Sequence, residues 1–378
     1  MIIVLLVIIA IIVAVEIFIY KRHAFDSINV DVHFSQSIAN CGDTIEVVEK
    51  AENAKKLPLP FLILKFEVPS ELEFKDMQKV SVSDLLYRED MLTMRSFSRH
   101  TRKIKLNCTH RGYYNFARVS ASTSDLFLFT RLSKDFTPNS NVTVLPEIIP
   151  TDDLQMLMKV TFSETPTRRS LLTDPFSFAG IREYQPWDPM NSINWTASAK
   201  AGDFMVNQNI STTNQHINIF LNLEYYNTKK SVSLLEYSIS MVYSYMNMLS
   251  ANNVAFTFCC NGIDMLSSTV LGVSEVTGSE NIITQGIDLA RLDLKQEAVP
   301  FPNLLNIVPL RADSDDLNII ISPNFDAAFQ KTLSDLASHN VPFTWIMPSY
   351  KHDATVKNMI PNADIAANLI RQEIKGHD

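Results

Sequence analysis

The chain has 378 residues, of which 46% are hydrophobic and 20% charged. That is enough apolar material for two ordinary cores and too much for a disordered chain. A net charge of −8 excludes nucleic acid as a main partner, since phosphate binding needs a concentrated basic surface. Nine glycines leave little room for phosphate-cradling loops, and four scattered cysteines (Cys41, Cys108, Cys259, Cys260) make no disulfide framework.

Residues 1–20 are almost wholly apolar, with Glu16 as the only charge. Twenty helical residues span roughly 30 Å, the thickness of a bilayer's hydrocarbon core. A basic start and a small-residue cleavage site are both missing, so the segment is expected to be a retained anchor. Lys21, Arg22 and His23 follow it at once, and the positive-inside rule puts the remaining chain in the cytoplasm. Glu16 then sits at the interface, where a carboxylate is tolerable.

Residues 24–150 carry short alternating strands at 28–34, 43–48, 61–68, 102–108, 113–120 and 141–145. Asn40-Cys-Gly-Asp is the turn between the first two. With no convincing helix among them, a small β-sandwich is the expected packing. Residues 151–173 are mixed in polarity and form a connector. The pattern then changes. Strands at 217–223, 254–259, 317–322 and 341–347 alternate with helices at 232–249, 279–292 and 327–338, which predicts a doubly wound α/β domain over 174–350 with a mostly parallel sheet. The run 256–260 ending in Cys259 and Cys260 reads as a buried strand with structural thiols. Residues 351–378 form a tail ending in a short helix over 364–375.

The most informative stretch precedes the first of those α/β strands. Asp188 and Pro189 suit a helix cap and first helical position, with the helix running through Asn194, Trp195 and Ser198 to Ala201 and Gly202 as its stop. Arg182, Glu183 and Tyr184 lie upstream on an extended arm, and residues 203–210 resume as a strand.

Gly180-Ile-Arg-Glu-Tyr-Gln-Pro-Trp-Asp-Pro followed by Ile193-Asn-Trp-Thr-Ala-Ser-Ala-Lys resembles the signature of the domain-of-unknown-function 58 family. Upstream, His110-Arg-Gly-Tyr-Tyr, Ser124-Asp-Leu-Phe-Leu-Phe and Val144-Leu-Pro-Glu resemble that family's other motifs, in the right order. The departures are Trp187 in place of a glycine, Asn191 and Ser192 where arginine is usual, and Lys200 for a final arginine. If the family's arginines bind an anion or an acidic partner, this chain has weakened that site, because lysine and asparagine lack the bidentate fork. Two readings of the segment stay open. In the favoured one Arg182, Tyr184, Asp188 and Trp195 clamp it onto the α/β domain, with Trp195 in the core. In the other, Arg182, Tyr184, Asp188, Trp195, Ser198 and Lys200 form a partner-contacting surface.

The resemblance implies a second domain similar to the von Willebrand factor type A fold. Many such domains hold Mg²⁺ through an Asp-x-Ser-x-Ser loop, whose hydroxyl and carboxylate oxygens suit that cation. Here Asn222 stands at the first aspartate, with Glu224 and Tyr226 at the serines, and Asp326 lies after a later strand. The site near Asn222, Glu224 and Asp326 therefore reads as degenerate, and no cofactor or metal is expected. No nucleophile elbow, Walker loop, dinucleotide fingerprint or zinc-binding helix appears, and no catalytic residue is assigned.

The resemblance further implies a non-enzymatic adaptor or scaffold in the bacterial inner membrane, working with a MoxR-type AAA+ ATPase and other von Willebrand-type membrane proteins. The rivals are a metal-dependent ligand-binding or adhesion module and a hydrolase with an unrecognised site.

Overall fold

The computed structural model describes residues 2–75, 80–82, 85–150, 154, 178–184, 193–209, 216–224, 229–252, 254–276, 282–306, 316–350 and 360–374. It divides into two units: residues 1–147 with 286–291, and residues 148–285 with 292–378.

The first unit opens with helix α1 (Ile2–His23), long and apolar enough to cross a membrane. Among the described residues twelve strands follow, beginning with β1 (Ile28–Phe34), β2 (Ile38–Asn40), β3 (Thr44–Asn53), β4 (Leu59–Pro69), β5 (Leu72–Phe74), β6 (Val80–Val82), β7 (Leu85–Met94) and β8 (Ser98–Cys108). The last four are β9 (Gly112–Asn115), β10 (Arg118–Ser124), β11 (Arg131–Phe136) and β12 (Asn141–Leu145). They form sheets ordered β1-β3-β8-β5, β11-β10-β4-β7-β6 and β2-β12-β9. The inward positions of β1, Val30, Val32 and Phe34, are buried, and the intervening ones point outward. They meet Leu62, Leu64 and Phe66 of β4 in one core, where Phe34 stacks on Phe116 at 4.4 Å. This is a β-sandwich. Its first expected turn is present, and Gly42 takes φ +89°, a left-handed conformation that glycine adopts without steric cost. The run expected as one strand over 113–120 is two, β9 and β10.

The second unit begins with an antiparallel pair, β13 (Phe178–Glu183) and β14 (Met205–Asn209), flanking the short helix α2 (Trp195–Ala201). A six-stranded sheet follows, built from β15 (Ile217–Leu221), β16 (Phe256–Ile263), β17 (Val270–Val276), β18 (Leu317–Ile321), β19 (Thr344–Tyr350) and β20 (Leu369–Ile374). Its order is β17-β16-β15-β18-β19-β20, and all neighbours are parallel except the β16–β17 pair at one edge. Every residue of β15 and β18 is buried. Because successive side chains point to opposite faces, both faces of the sheet centre are covered. Further helices among the described residues are α3 (Lys229–Ala251), α4 (Ile282–Ala290, whose residues from 286 on belong to the first unit), α5 (Phe301–Leu305) and α6 (Ala327–Ser338). Phe301 and Phe329 from two of them pack with Phe220 and Trp345 in the sheet's core.

Two expectations are corrected here. The tail helix expected over 364–375 does not form among the described residues: residues 369–374 are β20, in register with Trp345 to Tyr350 of β19. The backbone bonds offered by the open edge of β19 outweigh a local helical preference in an Asp-capped, alanine-containing segment. Helix α2 starts at Trp195, not at Pro189. Asn194 is its cap, accepting the Ala197 N–H at 3.0 Å, and Ile193 is still in a bridge with Val206. Residues 185–192, with Trp187, Asp188, Pro189, Asn191 and Ser192, lie outside the described residues, as do 155–177, most of the expected connector.

Candidate functional site

Two places in the second unit gather the sequence's candidates. The first is the carboxyl end of the parallel sheet. From β15 the chain moves to β16 on one side, then returns past β15 to lay β18 on the other. Such a reversal leaves a crevice outside the strand ends, the usual ligand site of open α/β sheets. A cavity of about 530 Å³ lies there, with Leu223, Glu224, Asn324, Asp326 and Phe329 in its wall.

At the same strand ends runs a buried network of side-chain amides and one hydroxyl. The Asn222 side-chain oxygen accepts from the Glu224 N–H at 3.0 Å and from Asn261 Nδ2 at 2.7 Å, while its own Nδ2 donates to Ser322 Oγ at 3.1 Å. Asn261 also accepts the Leu223 N–H at 2.8 Å and donates to the Val299 carbonyl at 2.8 Å. Ser322 Oγ further accepts the Asn324 N–H, and Asn324 accepts the Asp326 N–H. Asn222, Asn261 and Ser322 are fully buried.

Glu224 accepts the Phe301 N–H at 3.1 Å. Burial pushes its carboxyl above the usual range, the Asp326 charge adds to the rise, and the hydrogen bonds from Phe301 and Asn222 oppose it. These residues do not fit a Mg²⁺ loop. The Asn222 oxygen already has two donors, and the Glu224 carboxylate is taken up by the Phe301 N–H. The polar groups at the strand ends hold loops together.

The second place is the β13–β14 pair with helix α2. Arg182 lies in β13 opposite Val206 of β14, and Tyr184 follows it, its N–H bonded to the Phe204 carbonyl at 2.8 Å. Ser198, a candidate contact, spends its hydroxyl internally: it donates to the Asn194 carbonyl and accepts the Met205 N–H, each at 2.8 Å. Gly202 ends α2 at φ +83°, returning its N–H to the Ser198 carbonyl. These bonds hold α2 against the start of β14. Lys200 is exposed in the last turn. Asp188 cannot be placed with them because it lies outside the described residues.

Trp195 departs from the expectation of a core residue. It is 63% exposed and meets Phe204, itself 57% exposed, edge-to-face at 6.2 Å. Tyr184 also meets Phe204 edge-to-face, at 6.1 Å. The three rings form one aromatic surface on a hydrogen-bonded base. Phe204 escaped the sequence reading. Its signal was its place two residues after the left-handed Gly202, where the chain turns back onto the hairpin.

Among the described residues, no group of three or more His, Cys, Asp or Glu side chains is gathered as metal ligands. Cys259 and Cys260 are fully buried, and burial pushes the Cys259 thiol up to about 12, well away from a reactive thiolate.

No family model matches the chain, and no curated protein matches it. Solved structures do, each over about a third of its length. A CARDB domain from Pyrococcus furiosus, in complex with di-metal ions, matches at 12% identity over 32% of this chain and 91% of its own, with a TM-score of 0.21. The seventh ScaB type I cohesin from Pseudobacteroides cellulosolvens matches at 16% identity over 32% and 94%, with a TM-score of 0.22. The major pilin SpaD from Corynebacterium diphtheriae matches at 11% identity over 29% and 33%, with a TM-score of 0.23. Likeness at this level carries no argument about function.

Proposed function

We propose that this chain is a membrane-anchored, non-enzymatic interaction module similar to the domain-of-unknown-function 58 family, serving as adaptor for a MoxR-type AAA+ ATPase. In this reading α1 crosses the bacterial inner membrane once, and Lys21, Arg22 and His23 keep both units in the cytoplasm. The second unit is then a von Willebrand factor type A-like domain whose metal loop has been replaced by amide bonding, and other membrane proteins with such domains are its further partners.

The observation that carries the reading is the aromatic surface of exposed Trp195 and Phe204 with half-buried Tyr184. Aromatic side chains left in water on a rigid base are the usual energetic centre of a protein interface. An edge-to-face pair gains about 0.5–1.5 kcal/mol from its geometry, so the rings are ordered before a partner arrives. The closed network at the strand ends supports the same reading, since its polar groups are committed to structure.

The test is affinity co-purification from gently solubilised native membranes, with and without ATP, comparing wild type with Trp195→Ala. The expected result is an AAA+ ATPase recovered in a nucleotide-dependent manner and reduced in the variant. A folded wild-type protein that repeatedly recovers no such ATPase overturns the adaptor proposal.

A further inference from the structure

We propose that the loop at residues 126–129 of the β-sandwich inserts into the surface of the bilayer that α1 crosses, an inference that rests on reading α1 as a membrane anchor. It begins with how the second half of α1 meets the sandwich. Val13, Glu16, Ile17 and Tyr20, at helical spacing, are the covered positions there, while Ile12, Val15, Phe18 and Ile19 stay exposed. The Tyr20 hydroxyl donates to the Pro58 carbonyl at 2.9 Å, and Lys55 Nζ donates to the Ala24 and Asp26 carbonyls at 2.7 and 2.8 Å. The helix is therefore fixed to the end of the sandwich where β4 begins.

At that end Glu16 Oε1 accepts the backbone N–H of Leu126 at 2.8 Å. Glu16 precedes Lys21 by five residues, or about 8 Å along the helix axis. Lys21 and Arg22 mark the charged boundary of the span, so the loop backbone is held on the apolar side of that boundary. Leu126, Phe127, Leu128 and Phe129 are each more than half exposed, Phe129 at 69%. Four consecutive apolar side chains in water are costly, and beside a membrane span a lipid surface is the environment that suits them. Arg131, exposed just after the loop, stands where a cation meets lipid phosphate. A groove of about 320 Å³ lined by Phe61, Ile63, Met91, Leu128 and Arg131 continues the apolar surface.

The loop is also preformed. Asp125 is fully buried, and its carboxylate accepts the N–H groups of Phe127, Phe129 and Thr130 at 3.0, 2.9 and 2.8 Å as well as the Thr130 hydroxyl. Leu128 is held at φ +63°, uncommon for leucine, within this frame. A water-exposed tip has no reason to be built so firmly around apolar side chains. An inserting one does, because ordering is complete before lipid is met.

The test places an environment-sensitive fluorophore at one added cysteine in the full-length chain carrying Cys41→Ser; Cys108, Cys259 and Cys260 are fully buried. The sites are Ile9→Cys in α1, Phe129→Cys in the loop, and Ser70→Cys, which follows the eleven-residue β4 and so lies about 30 Å or more from the loop's end of the sandwich. The protein is reconstituted into vesicles of phosphatidylcholine and phosphatidylglycerol with nitroxide at a shallow or deep acyl position. Quenching of Phe129→Cys several-fold stronger by the shallow nitroxide, of Ile9→Cys by the deep one, and of Ser70→Cys by neither supports insertion. Quenching at Ile9→Cys with none at Phe129→Cys overturns the insertion and leaves the anchor standing. No quenching at Ile9→Cys overturns the anchor and the insertion together. Equal quenching at Ser70→Cys and Phe129→Cys overturns the insertion as a property of the label.

Discussion

Replacing Asn261 by alanine removes one side chain that bonds a neighbouring side chain and two backbone groups at the strand ends of the α/β sheet. The Leu223 N–H and the Val299 carbonyl lose their side-chain partner, and Asn222 loses one of two donors to its oxygen. A buried polar group left without a partner costs about 1–3 kcal/mol. Leu223 is buried and pays in full, whereas Val299 is half-buried and recovers part of the loss from water. The expected destabilisation is about 2–4 kcal/mol. Trp345 reports the unfolding of this unit: it is fully buried, donates to the Ser322 carbonyl at 3.1 Å and stacks on Phe325. With a urea dependence near the upper end for small proteins, about 3 kcal/mol per molar, Asn261→Ala should lower the urea midpoint of the Trp345 emission shift by about 1 M. A midpoint unchanged within about 0.2 M, too small a shift to carry the lost bonds, would refute the idea that these amides are a buried structural lock.

Trp195→Ala should change stability by no more than about 0.5 kcal/mol, because the side chain is mostly exposed, while weakening partner binding by about 2 kcal/mol or more, roughly thirtyfold; equal losses in both would make the residue structural. Burial holds Lys55 down at about 8. Since its folded pKa lies below its unfolded value, the burial penalty is fully present below pH 8 and disappears as pH rises toward about 10.4. Quantitative acetylation against pH should therefore give Lys55 an apparent pKa near 8, and a value shared with the exposed lysines would contradict it. Burial raises the Asp125 carboxyl, but the Thr130 hydroxyl and the N–H groups of Phe129, Thr130 and Phe127 outweigh it and leave the group below the usual carboxylate range. The stability it contributes is thus present above the unfolded pKa and is lost as pH falls through the folded one. Hydrogen exchange should find the amides of Phe127, Phe129 and Thr130 protected at neutral pH and open in Asp125→Ala; protection that survives the substitution would show that the carboxylate does not hold the loop.

The elements with strong local patterns were legible in the sequence. The alternation Ile28-Asn-Val-Asp-Val-His-Phe becomes β1 with Ile28, Val30, Val32 and Phe34 buried, because a half-buried strand imposes a two-residue period. The apolar stretch 232–249 lies inside α3, and the buried runs at 217–221 and 317–321 are central strands. What failed depended on distant partners. Residues 369–374 have a respectable helical pattern and become a strand because β19 offers them an open edge. Strand β17, antiparallel at the opposite edge, carried no expectation at all. Trp195 was expected in the core on the habits of its residue type, and only the packing of α2 against β14 decides that it faces outward. The bond from Leu126 to Glu16 joins residues 110 apart, which no local pattern can announce.

In the proposed function an AAA+ ATPase docks on the aromatic surface of Tyr184, Trp195 and Phe204. A photo-reactive benzoylphenylalanine in place of Phe204, irradiated in native membranes with and without ATP, tests it most directly. The account predicts a nucleotide-dependent adduct with a MoxR-type ATPase, and a matching probe at Ala328 in the cleft that yields none. An ATPase adduct at Ala328 with none at Phe204, or no such adduct from either position, would contradict it.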